Sequence, residues 1–341
     1  MAYAERIALI KQIEAARGSQ VFTYLTSLRA GVPAQIAEDQ VRVFFDHLLL
    51  LPARPVEKLD LFLVSNGGNG VVPWRLVSLF REFATSFNVL IPYRAYSAAT
   101  LIALGADQIV MGPFGEIGPI DPTVSNEFNP KEEGTGRQLG ISVEDVKAYI
   151  NFIKNTVGIT HEDELIKAIE ILATKVHPLA LGNVERFVLQ NRMMAKKILK
   201  THMGHEDDDH VITEVIENLA SKLYFHGHPI NRREAKSDLK LKVASDLPPA
   251  LETAMWDLYK DYESEFRNTE PFNPAVEVNN QTTIPHQPVV AELIHAEIES
   301  ARLSSVFKTR RRFALAQAPQ GQQLIEELLA QGWNHSLAPQ A

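Results

Sequence analysis

The sequence predicts an α/β protein built on a parallel sheet. Residues 59–64 (LDLFLV) form a compact apolar run that ends at SNGGNG, and Pro73 then opens a helix that runs to about residue 87. Residues 89–93 form a second apolar run, which is followed by the small-residue helical run 98–104. Two successive strand-turn-helix units favour parallel strands, because parallel neighbours need crossover connections. Helices are therefore expected over the faces of the sheet.

Periodicity assigns most of the remaining chain to helices. The other predicted elements are strands at 20–25 and 107–111, helices over 5–17, 36–51, 142–154, 161–175, 183–202, 211–224 and 249–267, a hairpin within 289–315, and a last helix near 322–331. From this order we expect a main domain over residues 1–250. Residues 251–341 are expected to form a C-terminal extension that contains a helix and the hairpin.

Composition narrows the classes of function. The chain of 341 residues has a formal net charge of -8 and no cysteines. Nucleic-acid binding through a basic field, disulfides and a cysteine nucleophile are therefore not predicted. The longest apolar runs fall short of the roughly 20 residues that span a bilayer, and the charged N-terminal segment lacks the apolar core of a signal peptide. We expect a cytoplasmic protein in which any covalent catalysis uses Ser, Thr, Lys or a carboxylate.

Two charged stretches receive structural interpretations. The stretch 202–210 is rich in histidine and acidic residues but lacks a zinc-ligand spacing such as His-Glu-x-x-His, so no metal is predicted. No organic cofactor is predicted either. Residues 310–312 are three successive arginines, which we expect to form a solvated sheet edge that discourages aggregation rather than a nucleic-acid site.

Ser97 is the strongest candidate for a nucleophile. It lies where a buried strand has just ended and a small-residue helix begins, which places its hydroxyl at the carboxyl edge of the sheet, where open α/β sheets bind ligands. The unpaired N–H groups of a helix start stabilise a developing oxyanion. The alternative is an N-cap serine that only satisfies the helix end.

A glycine pair is expected beside Ser97. Gly67 and Gly68 follow the preceding strand, so in a parallel sheet they reach the same edge. Glycines there can present backbone N–H groups that a side chain would block. The N–H groups of Gly68 and Ala98 are the predicted pair of oxyanion donors, although a Gly-Gly turn after a strand is often only a turn.

These residues resemble a known family. The segments LDLFLVSNGG, IPYRAYSAATLIALGADQIVMG and GEIGPIDP look like the SDH-family Clp-fold serine proteinases, which are related to the Clp protease subunit, signal peptide peptidase A and, more distantly, the crotonases. The likeness continues through HPLALGNVERF and LYFHGHPINRREAK and covers most of residues 5–245. It implies a ClpP/crotonase-like fold and serine peptidase activity, with Ser97 as the nucleophile and Gly67 and Gly68 in the oxyanion turn.

The resemblance also implies the remaining roles. The family's order of serine, aspartate and histidine assigns Asp121 as the orienting carboxylate and His226 as the general base, which a serine nucleophile needs. Compared with the Clp protease, the positions of these two residue types are exchanged. His228, His177 and Lys147 are alternative bases, the lysine because peptidase A relatives use a Ser-Lys dyad.

Partners and rival functions follow from the same likeness. We expect a peptide or protein substrate, a homo-oligomer and control by an unidentified regulatory partner. One alternative is a crotonase-like acyl-thioester enzyme, which would use the same amide pair to hold an enolate. The other is a catalytically inactive scaffold or regulatory protein.

Overall fold

The computed structural model describes residues 3–120, 123–124, 127–132, 136, 138–205, 208–222, 228–244, 246–280, 287–318 and 321–339. Contacts divide the chain into two compact units. Unit 1 comprises Met1–Ile117 and Ile230–Ala341, and unit 2 comprises Gly118–Pro229. The division into 1–250 and 251–341 that the sequence suggests stays a prediction.

The described residues contain strands and helices in both units. The strands are β1 (Gln20–Thr26), β2 (Val56–Val64), β3 (Ala84–Ile91), β4 (Arg94–Ala95), β5 (Gln108–Met111), β6 (Glu116–Ile117), β7 (Thr123–Val124), β8 (Ile141–Ser142), β9 (Ile230–Asn231), β10 (Val243–Ala244), β11 (Val289–Ser300), β12 (Leu303–Ala318) and β13 (Gly321–Leu337). The helices are α1 (Tyr3–Arg17), α2 (Asp39–Leu48), α3 (Val72–Phe83), α4 (Ala98–Leu104), α5 (Val143–Asn151), α6 (Glu162–Lys175), α7 (Pro178–Leu199), α8 (Asp208–Glu217), α9 (Arg232–Ser237), α10 (Pro249–Glu265) and α11 (Pro274–Asn280). Short π-helical segments, Phe152–Thr156 and Asn218–Lys222, follow α5 and α8.

A mixed sheet organises unit 1. Within the described residues its strand order is β10-β5-β3-β2-β1-β11-β12-β13. The strands from β10 to β1 are parallel to their neighbours, whereas β11, β12 and β13 are antiparallel. The predicted α/β class with a parallel sheet and flanking helices is confirmed. The parallel strands carry near-continuous buried apolar runs, as expected for strands covered on both faces.

Two helical layers cover this sheet. On one face, Ile10 and Ile13 of α1 and Leu258 and Tyr262 of α10 pack on alternate residues of the parallel strands. On the other face, an aromatic cluster connects the sheet to α2 and α3. Its ring centroids are 5.2 Å apart for Tyr24 and Phe44, and 5.1 Å apart for Phe44 and Phe80. The alternation of side chains along β1 produces the two cores.

Unit 2 is mainly helical. It contains α5, α6, α7 and α8, with the short antiparallel pair of β7 and β8. Ile141, Ala180, Val184 and Val188 form its buried cluster. No helix in the described part of either unit has the length and apolarity needed to span a membrane.

Two predicted helices near the sheet have different bounds. The helix expected to run from Pro73 to residue 87 ends at Phe83, because residues 84–91 form β3. The helix expected over 36–51 begins only at Asp39. Ile36 is excluded from it because its backbone forms a parallel bridge with Gly68.

The C-terminal hairpin is confirmed, but the last predicted helix is wrong. Residues 321–337 form strand β13, which pairs antiparallel with β12 over almost its full length. Arg312 bonds to Glu327 at 3.0 Å, and Arg311 also contacts Glu326, across this pair. The long ladder therefore overrides the helical periodicity of this segment. The arginine run accordingly lies in an interior strand and not at the sheet edge.

A buried ionic cluster joins α1, α10 and β11. The guanidinium of Arg6 contacts Glu299 at 2.8 Å, Asp261 at 2.9 Å and Glu297 at 3.4 Å. The guanidinium thus lies beside three buried carboxylates. Burial, reinforced by the charge of Glu299, raises the pKa of Glu297 to about 8.

This cluster predicts a pH-dependent stability. Because the folded-state pKa of Glu297 lies above its ordinary value of 4.5, folding takes up a proton between these two values. The resulting stabilisation is fully present below pH 4.5 and is lost as the pH rises through about 8. Between pH 5.5 and 7.5 the free energy of unfolding of the wild type should fall about 1.4 kcal/mol per pH unit more steeply than that of Glu297→Gln.

Urea unfolding at several pH values measures this difference. Glu292→Gln is the matched control, because Glu292 is an exposed glutamate of the same strand that pairs with Lys308 at 2.9 Å. It should keep the wild-type slope. Parallel pH profiles for the wild type and Glu297→Gln would contradict the prediction.

Candidate active site

Ser97 lies at a strained elbow between β4 and α4. Its backbone has φ 53° and ψ -115°, a conformation that L-residues rarely adopt and that is stabilised only by the surrounding structure. The side chain is half-buried and makes no capping hydrogen bond to α4. The simple N-cap interpretation therefore does not describe this serine.

Backbone pairing holds the elbow against the end of β2. The N–H of Ser65 donates to the carbonyl of Arg94 at 3.0 Å, and the N–H of Tyr96 donates to the carbonyl of Ser65 at 2.9 Å. The first turn of α4 begins immediately, because Leu101 N–H donates to the Ser97 carbonyl at 3.1 Å. All residues of α4 are buried, so the elbow is fixed from both sides.

Gly67 packs directly against this elbow. A Cβ atom built on Gly67 would lie 2.7 Å from Ser97 Cβ, 2.7 Å from the Tyr96 carbonyl oxygen and 3.1 Å from Ala98 N. Its φ is also 102°, so both the contact and the conformation require glycine. Its own N–H donates to Ser65 Oγ at 3.0 Å. Gly67 therefore provides the close approach rather than a free donor.

The N–H groups of Gly68 and Ala98 remain available. The bridge between Ile36 and Gly68 uses the carbonyl of Gly67 and the N–H of Asn69, at 2.8 Å and 2.9 Å from their partners on Ile36. Ala98 is the first residue of α4 and so has no intrahelical acceptor. Neither N–H donates a hydrogen bond to any part of the chain that the structure describes. Two unpaired amides therefore flank the contact between Gly67 and Ser97.

A hydrogen bond between Tyr96, the residue before Ser97, and Glu116 was not predicted from the sequence. The hydroxyl of Tyr96 donates to Glu116 Oε1 at 2.6 Å. The guanidinium carbon of Arg94 lies 5.4 Å from the centre of the Tyr96 ring, and Arg94 Nε lies 3.7 Å from Glu116. Burial raises the pKa of Tyr96, so the phenol stays protonated as the donor. The position of Tyr96 next to Ser97 is the sequence signal that could have drawn attention to this residue, although it does not predict Glu116 as the partner.

None of the candidate bases lies in the described part of unit 1, which contains Ser97. Asp121 and His226 lie outside the described residues. His177, His228 and Lys147 belong to unit 2. Lys147 is in α5, and His228 is half-buried in the segment before β9.

His177 already has a local task. It is the N-cap of α7, and its Nδ1 accepts a hydrogen bond from the Leu179 N–H at 3.2 Å. Its ring stacks on Phe128 with centroids 5.1 Å apart. One ring nitrogen is therefore engaged in capping, which leaves only the other for proton transfer.

The buried histidines of unit 1 contact the C-terminal strands. His47 Nε2 lies 2.9 Å from Ser305 Oγ, and burial lowers the pKa of His47 to about 3. His295 lies 2.7 Å from the Pro33 carbonyl and 2.8 Å from Thr309 Oγ1. These histidines stabilise the packing of β11, β12 and β13. Across the described ranges, no group of three or more His, Asp or Glu side chains is arranged to hold a metal ion.

The fold and site define an α/β protein with a mixed sheet and a serine at a strained strand-to-helix elbow beside a diglycine turn. Residues 2–131 match the family described as ClpP-like SDH-type serine proteinase. The resemblance noted in the sequence is thus confirmed over this segment.

The individual proteins that match the chain have low sequence identity to it. The chain is 25% identical to the uncharacterized protein MJ0137 of Methanocaldococcus jannaschii, over 79% of this chain and 83% of the relative. It is 23% identical to the uncharacterized protein MJ1495 of the same organism, over 72% of this chain and 73% of the relative. A solved structure of a mutant of 1510-N, a membrane-bound stomatin-specific protease, is also similar. It is 14% identical with a TM-score of 0.39, over 67% of this chain and 80% of that one.

The strain at Ser97 predicts an unusual response to mutation. Ser97→Ala should keep the positive φ, whereas Ser97→Gly should relax it. The relief of about 1–3 kcal/mol exceeds the entropic cost of a glycine, about 0.5–1 kcal/mol. Ser97→Gly should therefore be about 1 kcal/mol more stable than Ser97→Ala in urea unfolding. Ala103→Gly, in the interior of α4, is the control and should be destabilised. Equal stability of the two Ser97 variants would contradict the strain.

The close approach of Gly67 to Ser97 predicts that an alanine at Gly67 is more destabilising than an alanine at another glycine with positive φ. Gly67→Ala introduces both a positive-φ alanine and an overlap with Ser97 and Tyr96, and should cost about 3 kcal/mol or more. Gly18→Ala is the matched control, because Gly18 has φ 59° but no atom lies within 4 Å of the added Cβ. It should lose about 1 kcal/mol. If urea unfolding gives the two variants similar losses, the contact at Ser97 is not tight.

Proposed function

We propose that this protein is a serine peptidase that cleaves peptide bonds through an acyl-enzyme on Ser97. The observation that carries the proposal is the strained elbow of Ser97 against Gly67, flanked by unpaired N–H groups on Gly68 and Ala98. A strained serine between strand and helix exposes its hydroxyl above the sheet. The match of residues 2–131 to a serine proteinase family supports the same chemistry.

The proposed reaction has two stages. Ser97 Oγ attacks the peptide carbonyl carbon while the hydroxyl proton passes to a general base. The negative charge on the former carbonyl oxygen is held by the N–H groups of Gly68 and Ala98. The carbon–nitrogen bond then breaks, the base returns its proton to the leaving amine, and an ester to Ser97 remains. Water then attacks this ester while the same base takes its proton. The bond between the acyl carbon and Ser97 Oγ breaks, the base returns the proton to Oγ, and the acid product leaves.

We propose His226 as the general base and Asp121 as its orienting carboxylate, following the order of residues in the resembling family. His228 and Lys147 are the alternatives. His177 is less suited, because its Nδ1 accepts the capping hydrogen bond of α7. We also propose that the protein acts on a peptide or protein substrate and assembles as a homo-oligomer. We further propose control by a regulatory partner and a cytoplasmic location. The lack of cysteine is compatible with a reducing compartment.

Two rival functions predict different dependence on Ser97. A crotonase-like acyl-thioester enzyme would use the Gly68 and Ala98 amides without the hydroxyl, so Ser97→Ala would retain activity on an acyl-thioester. An inactive scaffold would lack an activated serine. The strain at Ser97 favours the peptidase, because neither rival needs the hydroxyl to be held at the elbow.

Active-site labelling tests the proposal. A fluorophosphonate probe should form a covalent adduct on Ser97 in the native protein, identified by mass spectrometry. The adduct should be absent in Ser97→Ala and after unfolding in urea, and unchanged in Ser237→Ala, whose hydroxyl is exposed in α9. Peptide hydrolysis should disappear with the adduct. A native protein that neither reacts at Ser97 nor cleaves peptides would contradict the proposal.

The same assay identifies the base. His226→Ala should lower the labelling rate about 100-fold or more, because general-base catalysis contributes at least that factor. His228→Ala, two residues away, is the matched control and should retain most of the rate. If the larger loss falls on His228 or Lys147 instead, the assignment of His226 is wrong although the peptidase proposal stands.

A further inference from the structure

A buried pair of hydroxyls lies beneath the diglycine turn. Thr26 is the last residue of β1, and Ser65 follows the last residue of β2. Their Oγ atoms are 2.7 Å apart, and the two residues are 1% and 0% exposed, respectively. Hydroxyls buried this deeply are costly unless each is hydrogen-bonded.

Ser65 connects both halves of the candidate active site. Its Oγ accepts the N–H of Gly67 at 3.0 Å. Its backbone N–H and carbonyl pair with Arg94 and Tyr96, the segment that leads into Ser97. A single residue therefore holds the glycine turn and the nucleophile elbow in one arrangement.

The side-chain bond to Gly67 has a specific consequence for the next amide. Gly67 and Gly68 have φ values of 102° and 153°, and glycines pass between such conformations with little steric cost. Ser65 Oγ accepts the Gly67 N–H on one side of this residue, and the Gly67 carbonyl accepts the Ile36 N–H at 2.8 Å on the other. The two hydrogen bonds together fix the conformation of Gly67 and hence the orientation of the Gly67–Gly68 peptide. The N–H of Gly68 is left unpaired in that orientation.

We propose that Ser65, supported by Thr26, is a positioning residue that directs the Gly68 N–H toward the oxyanion. This inference rests on the proposed peptidase function, but it concerns residues that touch neither the substrate nor the reacting atoms. Ser65 acts by binding the Gly67 N–H, and Thr26 acts by fixing the Ser65 hydroxyl.

The test compares rates of fluorophosphonate labelling at Ser97 and of peptide hydrolysis. Ser65→Ala should lower both the labelling rate constant and kcat about 10- to 100-fold. This loss is smaller than the roughly 100- to 1,000-fold loss that follows removal of an oxyanion donor itself, because the Gly68 N–H is still present. KM should change less than about threefold, because the lost interaction belongs to the transition state. Thr26→Val, which removes only the hydroxyl, should lower kcat by a smaller factor, and Thr26→Ser should restore it.

A second buried hydroxyl provides the control for stability. Ser19 Oγ donates to the buried carboxylate of Asp60 at 3.0 Å, before the start of β1 and thus at the opposite end of the sheet. Ser19→Ala should lower stability to urea while leaving the labelling rate of the folded protein unchanged. If Ser65→Ala does not fold, the comparison of Thr26→Val with Thr26→Ser decides the question.

The outcomes separate this inference from the peptidase proposal. If Ser65→Ala and Thr26→Val are labelled as fast as the wild type, the positioning role is wrong and the peptidase proposal stands. The positioning role would also be overturned if the variants are labelled more slowly only in proportion to the fraction of molecules that is unfolded, which is the result expected for a purely structural residue. A wild type that is not labelled at Ser97 contradicts the peptidase itself, and the positioning role fails with it.

Discussion

The close approach of Gly67 to the peptide between Ser97 and Ala98 is the contact on which the site depends. It joins the turn that follows β2 to the elbow between β4 and α4. With Cβ positions 2.7 Å apart, no side chain fits at Gly67. The distance between the turn and the elbow is therefore set by backbone atoms, which are held more firmly than long side chains.

The rest of unit 1 stabilises this contact. The conformation of Ser97 costs about 1–3 kcal/mol, and it persists because the surrounding structure leaves no alternative. The buried helix α4 follows directly, and Ser65 pairs with the backbone before it. Parallel strands with two apolar cores provide the rigid support. The strain is thus concentrated at one residue in an otherwise regular sheet, as is common where structure serves chemistry.

The sequence allowed much of this architecture to be predicted. The contiguous apolar runs of β1, β2 and β3 and the small-residue helix α4 define parallel units by local pattern alone, and Ser97 and Gly67 follow from their places at the strand ends. The remaining features depend on contacts distant in sequence. β13 has helical periodicity but pairs with β12, and β11 joins the sheet beside β1. Nothing in the local sequence around Ser65 predicts that its hydroxyl accepts a hydrogen bond from the Gly67 N–H.

The central claim is that Gly68 and Ala98 amides receive the charge that develops when Ser97 reacts. A crystal structure of the protein phosphonylated at Ser97 by a fluorophosphonate measures this directly. The phosphoryl oxygen should lie about 3 Å from both the Gly68 and Ala98 nitrogens, with Gly67 still bound to Ser65. An adduct whose phosphoryl oxygen points to solvent, or contacts neither amide, would contradict the account.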